Sequence, residues 1–311
     1  ANRDFKVYYQ PKVRLRDGQV ASAEALVRWQ HPQKGFIYPS DFIPVFERSG
    51  DICRLDLYVF EEVCAMLAGR LAQGAPVFPV AVNLSRRHFQ TTDFLQRFAD
   101  IRDQYQIPGG LIELELTESI FFTVGDILNV KEAIRRMHEL GFLCSLDDFG
   151  AGFSSLGLLK SFMVDSVKLD RSFFLDDSQR AHDVVESILE LARKLGIETV
   201  AEGIEALVQV DFLRSIGCDL VQGYVYARPM PAEELEAWMR ARHGGEVTQF
   251  GSLSKQKRPG THMCRGAFVV EKPPAVPVVR KSLSYEKKLL PVKWKCGLAT
   301  ARTNRRRPFS E

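Results

Sequence analysis

FKVYYQPKVRLRDGQVASAEALVRW, residues 5 to 29, holds two apolar runs joined only by RLRDGQ, whose Asp17-Gly18 pair is a turn signal. The spacing predicts an antiparallel hairpin. Within its second run, Glu24, Leu26 and Arg28 stand two residues apart, so a strand points all three to one face. An acid and a guanidinium are thereby directed where a core is expected.

Beyond the hairpin the apolar runs FPVAVNLS, LIELELTES, FLCSLDDFG, SVKLDRSF, IETVAEGI and LVQGYVYA recur, with amphipathic stretches such as DVVESILELARKLG and AEELEAWMRAR among them. Strands separated by helices run parallel. The pattern predicts an α/β fold, a modified (β/α)8 TIM-type barrel with an antiparallel first strand pair. A doubly wound open sheet is the alternative, but its glycine-rich G-x-G-x-x-G turn after the first strand is missing.

With 311 residues, 45% hydrophobic and 26% charged, the chain is long enough to bury one barrel-sized core. No apolar run approaches the roughly 18 residues of a membrane span, and ANRDFKVYY lacks the apolar centre of a signal peptide. Six cysteines are scattered without metal-type spacing and read as thiols of a reducing compartment. The domain is therefore expected in the cytoplasm, a longer parent chain being free to attach to a membrane.

The net charge of +3 joins two unlike parts. From Glu246 onward 15 Lys/Arg face 4 Asp/Glu, leaving 27 bases against 35 acids in the body. The boundary is set between a domain of residues 1–244 and a basic extension of residues 245–311, with scattered prolines and the run Arg305, Arg306, Arg307. The extension reads as disordered, or as an arm for nucleic acid or acidic lipid, which composition alone does not separate. The acidic body argues against the barrel itself gripping nucleic acid.

Chemistry in such a barrel sits where strands end, at the C-terminal face. Gln10, Glu24 with Arg28, Asn83, Glu115 with Glu118, Asp147 with Asp148, Lys168 with Asp170, Glu202 with Glu205, and Gln222 fall in that register. Carboxylates collected there repel one another and require a cation. The set Glu24, Asn83, Glu115, Asp147 and Asp148 offers only hard oxygen, which suits Mg²⁺ or Mn²⁺. The adjacent aspartates allow one carboxylate to bridge two ions about 3.5–4 Å apart, an arrangement suited to phosphodiester hydrolysis. Glu24 then reads as a metal ligand and Arg28 as a phosphate clamp.

These residues resemble the EAL-domain cyclic-di-GMP phosphodiesterases. The triplet is Glu24, Ala25, Leu26, and around it stand YYQPK, VRWQHP, FIPVFERSG, NLS, ELTES, DDFGAGFSSL, VKLDRSF, AEGIE and QGYVYARPMP, spanning about Phe5 to Pro231. The resemblance implies one metal on Glu24, Asn83, Glu115 and Asp147, and a second held or lined by Asp147, Asp148 and Glu202. It gives Lys168 a contact to the catalytic water and Glu202 the general-base position, metal ligation and base catalysis being hard to separate there. Gln10, Leu26, Arg28, Asp170 and Gln222 resemble ligand-binding or supporting positions, Glu205 is supporting, and Glu118 anchors the loop DDFGAGFSSL. In that loop Ala151 stands where Thr is common and Phe153 where Tyr is common.

The activity implied is metal-dependent opening of cyclic di-GMP to linear pGpG, in a homodimer, under a regulatory sensor, receiver or GGDEF domain not found in this sequence. A receptor that binds cyclic di-GMP without cleaving it is the alternative, weakened by the completeness of the acidic set. A third reading makes the barrel a scaffold for interactions. His31 reads as a structural loop residue, and His88, His138 and His182 as surface residues. Phe94 and Phe98 read as core anchors, and Thr117 as a cap or loop brace.

Overall fold

A computed structural model describes residues 4–91, 93–118, 120, 127–150 and 159–242. Residues 243–311, which include the whole basic extension of residues 245–311, and the loop positions Ala151 and Phe153 lie outside the described residues. Among those described, the strands are β1 (Phe5–Arg14), β2 (Val20–His31), β3 (Gly35–Ile37), β4 (Val80–Asn83), β5 (Ile112–Thr117), β6 (Leu143–Phe149), β7 (Ser166–Leu169), β8 (Glu198–Ala201) and β9 (Leu220–Val221). The helices are α1 (Pro39–Ser49), α2 (Ile52–Ala72), α3 (Phe94–Gln104), α4 (Ile127–Glu139), α5 (Gln179–Leu195), α6 (Leu207–Ser215) and α7 (Ala232–Arg242).

The sheet order β1-β9-β8-β7-β6-β5-β4-β2-β3 returns on itself because β1 also pairs with β2. Eight strands close the barrel, and β3 hangs from the end of β2. β1 is antiparallel to both of its neighbours, while β2 and the strands from β4 to β9 run parallel around the ring. The expected barrel with an irregular first pair is the observed one.

The hairpin forms as its turn residues dictate. Gly18 takes φ 70°, its N–H donates to Arg14 O at 2.8 Å, and the Gln19 N–H donates to Asp17 Oδ1 at 3.0 Å. Tyr9 and Val13 on β1 and Ala23 and Ala25 on β2 are buried in alternation with the polar Gln10, Lys12 and Glu24. Two layers follow from that alternation. The apolar layer packs Val80, Val82, Leu114 and Leu116 together with Phe60, Val63, Leu67 and Phe98 of the surrounding helices. A smaller cluster of Phe42, Phe46, Ile52 and Leu55 closes over Phe5 and Trp29, whose rings stack at 5.3 Å.

Two elements differ from the sequence reading. β3 has three residues, too few to show a period, and is fixed only by pairing with Trp29 to His31. β9 keeps only Leu220 and Val221 of the run LVQGYVYA, the two residues that pair with Val13 and Arg14 of β1 on one side and with Val200 and Ala201 of β8 on the other. Beyond those residues the seam is closed by Tyr9 and Met230, which exchange backbone hydrogen bonds of 2.7 and 3.0 Å.

His88 corrects a surface expectation: it is buried, and its Nε2 lies 3.0 Å from Asp56 Oδ2. The ring packs edge-on to Phe98 in the 3-10 turn Arg86–Gln90, while Asp56 also accepts the Ser85 N–H at 3.0 Å. The pair ties α2 to the segment that follows Asn83. His138 and His182 are half-buried, against Asp165 and Phe212 respectively. Phe94 and Phe98 are core anchors as expected.

Candidate active site

Parallel strands deliver their C-terminal residues to one mouth. Glu24 comes from β2, Asn83 from the last position of β4, Glu115 from β5, Asp147 and Asp148 from β6, Lys168 from β7, and Glu202 from just beyond β8. Register aligns them: Asn83 is level with Glu115, and Thr117 with Asp147. Gln10 is level with Glu24 although its strand runs the other way.

At the centre stands Lys168, 1% exposed. Its Nζ lies 2.7 Å from Glu202 Oε1, 3.0 Å from Asp147 Oδ1, 3.1 Å from Glu115 Oε1 and 3.3 Å from Glu24 Oε2. Burial alone would lower its pKa, but Asp147, Glu115, Glu202 and Glu24 together raise it well above the usual lysine value. The ammonium is charged at neutral pH.

The carboxylates divide according to their partners. Burial works against the charge of Glu24, but Lys168, Lys12 and the amides of Gln222 and Asn83 outweigh it and hold the carboxyl well below its ordinary range. Those amides donate at 2.6 and 2.9 Å. Glu115 is pushed up to about 8 by burial and then by the Glu24 charge, despite Lys12 and Lys168. Glu202 is pushed up to about 7, first by burial, with Lys168 opposing and Asp147 and Glu24 adding. Burial, then Asp147, raises Asp148, which holds φ 55°. A left-handed backbone at an exposed acid beside a buried one is a strained arrangement of the kind concentrated at functional sites.

Two observations fit a hard cation. Among the described residues Glu115 Oε2 is buried without a hydrogen-bond partner, a costly state for a carboxyl oxygen. Carboxylate oxygens of Asp147, Asp148 and Glu202 all fall within 4.8 Å of one another. Oxygen donors of this density suit Mg²⁺ or Mn²⁺ in kind.

A cavity of about 290 Å³ opens over this centre, and nine of the fourteen residues expected from sequence line it: Gln10, Glu24, Leu26, Asp147, Lys168, Asp170, Glu202, Glu205 and Gln222. A second cavity of about 600 Å³ shares Glu24 and Leu26 as a wall and adds Arg28 and Asn83. Arg28 is half-buried, donates to Val27 O at 2.9 Å and stands 5.9 Å from the Tyr8 ring centre. Gln222 bridges Gln10 and Glu24, donating to their oxygens at 3.2 and 2.6 Å. Asp170 caps the 3-10 turn Arg171–Phe174 by accepting the Ser172 N–H at 2.9 Å.

Glu118 lies apart from both cavities and accepts the Gly150 N–H at 3.3 Å, at the start of the loop it is expected to anchor. Gly150 holds φ 95°, and a Cβ there would come within 2.1 Å of the Phe173 ring. At Gly223 a Cβ would lie 2.0 Å from Ile204 O, so only glycine lets the segment after Gln222 rest on the segment after Glu202. Sequence reasoning missed Lys12, Glu113 and Ser166, which continue the polar interior below Glu115. Their one signal is the spacing of two that separates Lys12 from Gln10, Glu113 from Glu115 and Ser166 from Lys168.

Fold and mouth together define a TIM-type barrel protein with a buried acidic centre whose oxygens could hold a cation. Within that class the chain belongs to the EAL domain family, whose model matches residues 1–229. It is 37% identical over 254 residues to the cyclic di-GMP phosphodiesterase NbdA of Pseudomonas aeruginosa, covering 81% of this chain and 32% of NbdA. It is 35% identical over 242 residues to the oxygen sensor protein DosP of Escherichia coli, covering 77% of this chain and 30% of DosP. The chain thus spans about a third of the length of these relatives. Among solved structures, the PaMucR phosphodiesterase in complex with c-di-GMP matches with TM-score 0.70 and 34% identity, over 75% of this chain and 94% of that one. The EAL domain of Mycobacterium smegmatis DcpA matches with TM-score 0.64 and 30% identity, over 78% of this chain and all of that domain. Among the described residues, no helix is long and apolar enough to cross a membrane.

Proposed function

We propose that this domain hydrolyses one phosphodiester bond of cyclic di-GMP, giving linear pGpG. The observation that carries the reading is Lys168 among four carboxylates at the mouth of an EAL-family barrel, with Glu115 Oε2 left unpartnered. Glu24, Asn83, Glu115 and Asp147 would hold one Mg²⁺ or Mn²⁺, and Asp147, Asp148 and Glu202 a second. Such ions supply Lewis acidity toward a phosphoryl oxygen and make a water acidic enough to serve as nucleophile near neutral pH.

The remaining work falls to the chain's own groups. Glu202, just beyond β8 and beside the acidic pair of β6, stands where the resemblance puts the general base, a carboxylate able to accept a proton from the attacking water. Lys168 places a fixed positive charge 2.7 Å from Glu202 and orients it. Arg28 offers a guanidinium to phosphate, and the two cavities that meet at Glu24 and Leu26 suit a ligand made of two nucleotide halves. The body's acidity does not oppose an anionic substrate, because bound cations invert the local charge.

Chromatography of cyclic di-GMP incubated with the protein in Mg²⁺, in Mn²⁺ and in EDTA tests the reading. Appearance of pGpG only with metal is expected, whereas an intact but bound ligand would make the domain a receptor. The reading includes a homodimer and a cytoplasmic setting, the latter in keeping with the free thiols Cys53, Cys64, Cys144 and Cys218. A sedimenting monomer with full turnover would remove the dimer.

The pKa shifts fix a pH dependence. Glu115 and Glu202 rise from an ordinary 4.5 to about 8 and about 7, so the metal-free fold holds protons there that the unfolded chain has lost. Their contribution to stability is complete below pH 4.5 and is lost as pH rises through 7 and 8. A bound cation must displace those protons. Mn²⁺ affinity is therefore expected to climb between pH 6 and 8, by about tenfold per unit for each proton released. Calorimetric titration with Mn²⁺ in buffers of different ionisation enthalpy reads both quantities, and a flat affinity without proton release would exclude this ligand set.

A further inference from the structure

Beneath the mouth lies a polar group that the proposed reaction does not use. Lys12 of β1 is fully buried, and its Nζ lies 2.8 Å from Glu115 Oε1 and 3.7 Å from Glu113 Oε2. Glu113 in turn accepts from Ser166 Oγ at 2.7 Å. Burying a lysine completely is costly unless the charge is paired, and here two carboxylates pair it. Glu113 alone would serve as counter-ion, yet the shorter contact is to Glu115.

The consequence is an asymmetry in Glu115. Its Oε1 sits between two ammonium groups, Lys12 at 2.8 Å and Lys168 at 3.1 Å, while Oε2 has no hydrogen-bond partner. We infer that Lys12 is a positioning residue for metal binding: it occupies one oxygen of Glu115 and so presents the other, singly, to the cation. The inference rests on the metal-dependent reading above. It differs from charge balance in sign. Removing a buried positive charge would by Coulomb's law alone tighten a cation's binding, whereas loss of an orienting partner weakens it, typically 10- to 100-fold.

The test uses Mn²⁺ alone, without substrate, read by calorimetry and by the rise in melting temperature. K12M is expected to bind Mn²⁺ at least about tenfold more weakly than the wild-type protein. The double variant K12M/E113Q removes one charge of each sign and keeps the buried balance, so a purely structural loss is repaired in it. Its melting temperature is expected to return toward wild type while its Mn²⁺ affinity stays low. Wild-type affinity in the double variant, or tighter binding in K12M, would overturn the inference. A crystal structure of the wild-type protein with Mn²⁺ tests the same point without substitution. Glu115 is expected to meet the ion through one oxygen with Lys12 still on the other, and ligation through both oxygens would refute it. A wild-type protein that takes up no Mn²⁺ sinks the underlying metal reading, whereas unchanged affinity in K12M sinks only the role of Lys12.

Discussion

Glu202→Gln is expected to lower the turnover of cyclic di-GMP by about two to four orders of magnitude, the range that a positioned general base contributes. Glutamine keeps an oxygen beside Lys168 but accepts no proton. In the metal-free protein burial raises this carboxyl above its ordinary range, and cation binding favours its charged form, the form that can take a proton. Because the amide oxygen still donates electron density, Mn²⁺ affinity is expected to fall far less than turnover. A rate within tenfold of wild type would assign the proton transfer elsewhere. A fall in Mn²⁺ affinity as large as the fall in rate would make Glu202 chiefly a ligand.

Lys168→Met carries the second large effect, on the fold itself. Methionine fills a similar volume, so the packing is preserved and the charge is lost. Glu24, Glu115, Asp147 and Glu202 then face one another at the mouth without the ammonium that now lies 3.3 Å or less from each of them. Breaking a buried ion pair by removing one partner costs about 3–5 kcal/mol. Urea unfolding in EDTA at neutral pH reads this loss. Saturating Mn²⁺ is expected to restore most of it, since a cation supplies the missing positive charge and binds only the folded chain. Stability equal to wild type in EDTA would show that the carboxylates neutralise themselves without the lysine.

The fold was legible because its first feature is local: a D-G turn between two alternating runs fixes the hairpin, and helices between later runs make those strands parallel. Glu24, Glu115 and Asp147 were legible for the same reason, Glu24 within an alternating run and Glu115 and Asp147 toward the ends of theirs, where charge has no packing rationale. Lys12 was not, since a lysine in a strand ordinarily lies on the solvent face and its burial depends on Glu113 and Glu115, 101 and 103 residues away in the chain. Nor was the Asp56–His88 pair, which joins a helix to a 3-10 turn and leaves no periodic trace. The two-residue length of β9 reflects its pairing with β1 and β8 on either side, which no reading of β9 alone reveals.

β1 runs against the other strands of the ring. Since this strand enters the barrel from the mouth, Gln10 sits level with the ligand cavity and Lys12 lies one step deeper, level with Ser22. A single strand thus works as a depth gauge, its upper notch at the substrate and its lower notch at the counter-charge. The irregularity in pairing falls just after Lys12, between it and Val13. An extra residue beyond that point has somewhere to go. One inserted between Tyr9 and Lys12 does not, for a slip of one position would turn the lysine out into the apolar layer and leave two glutamates below the mouth without it.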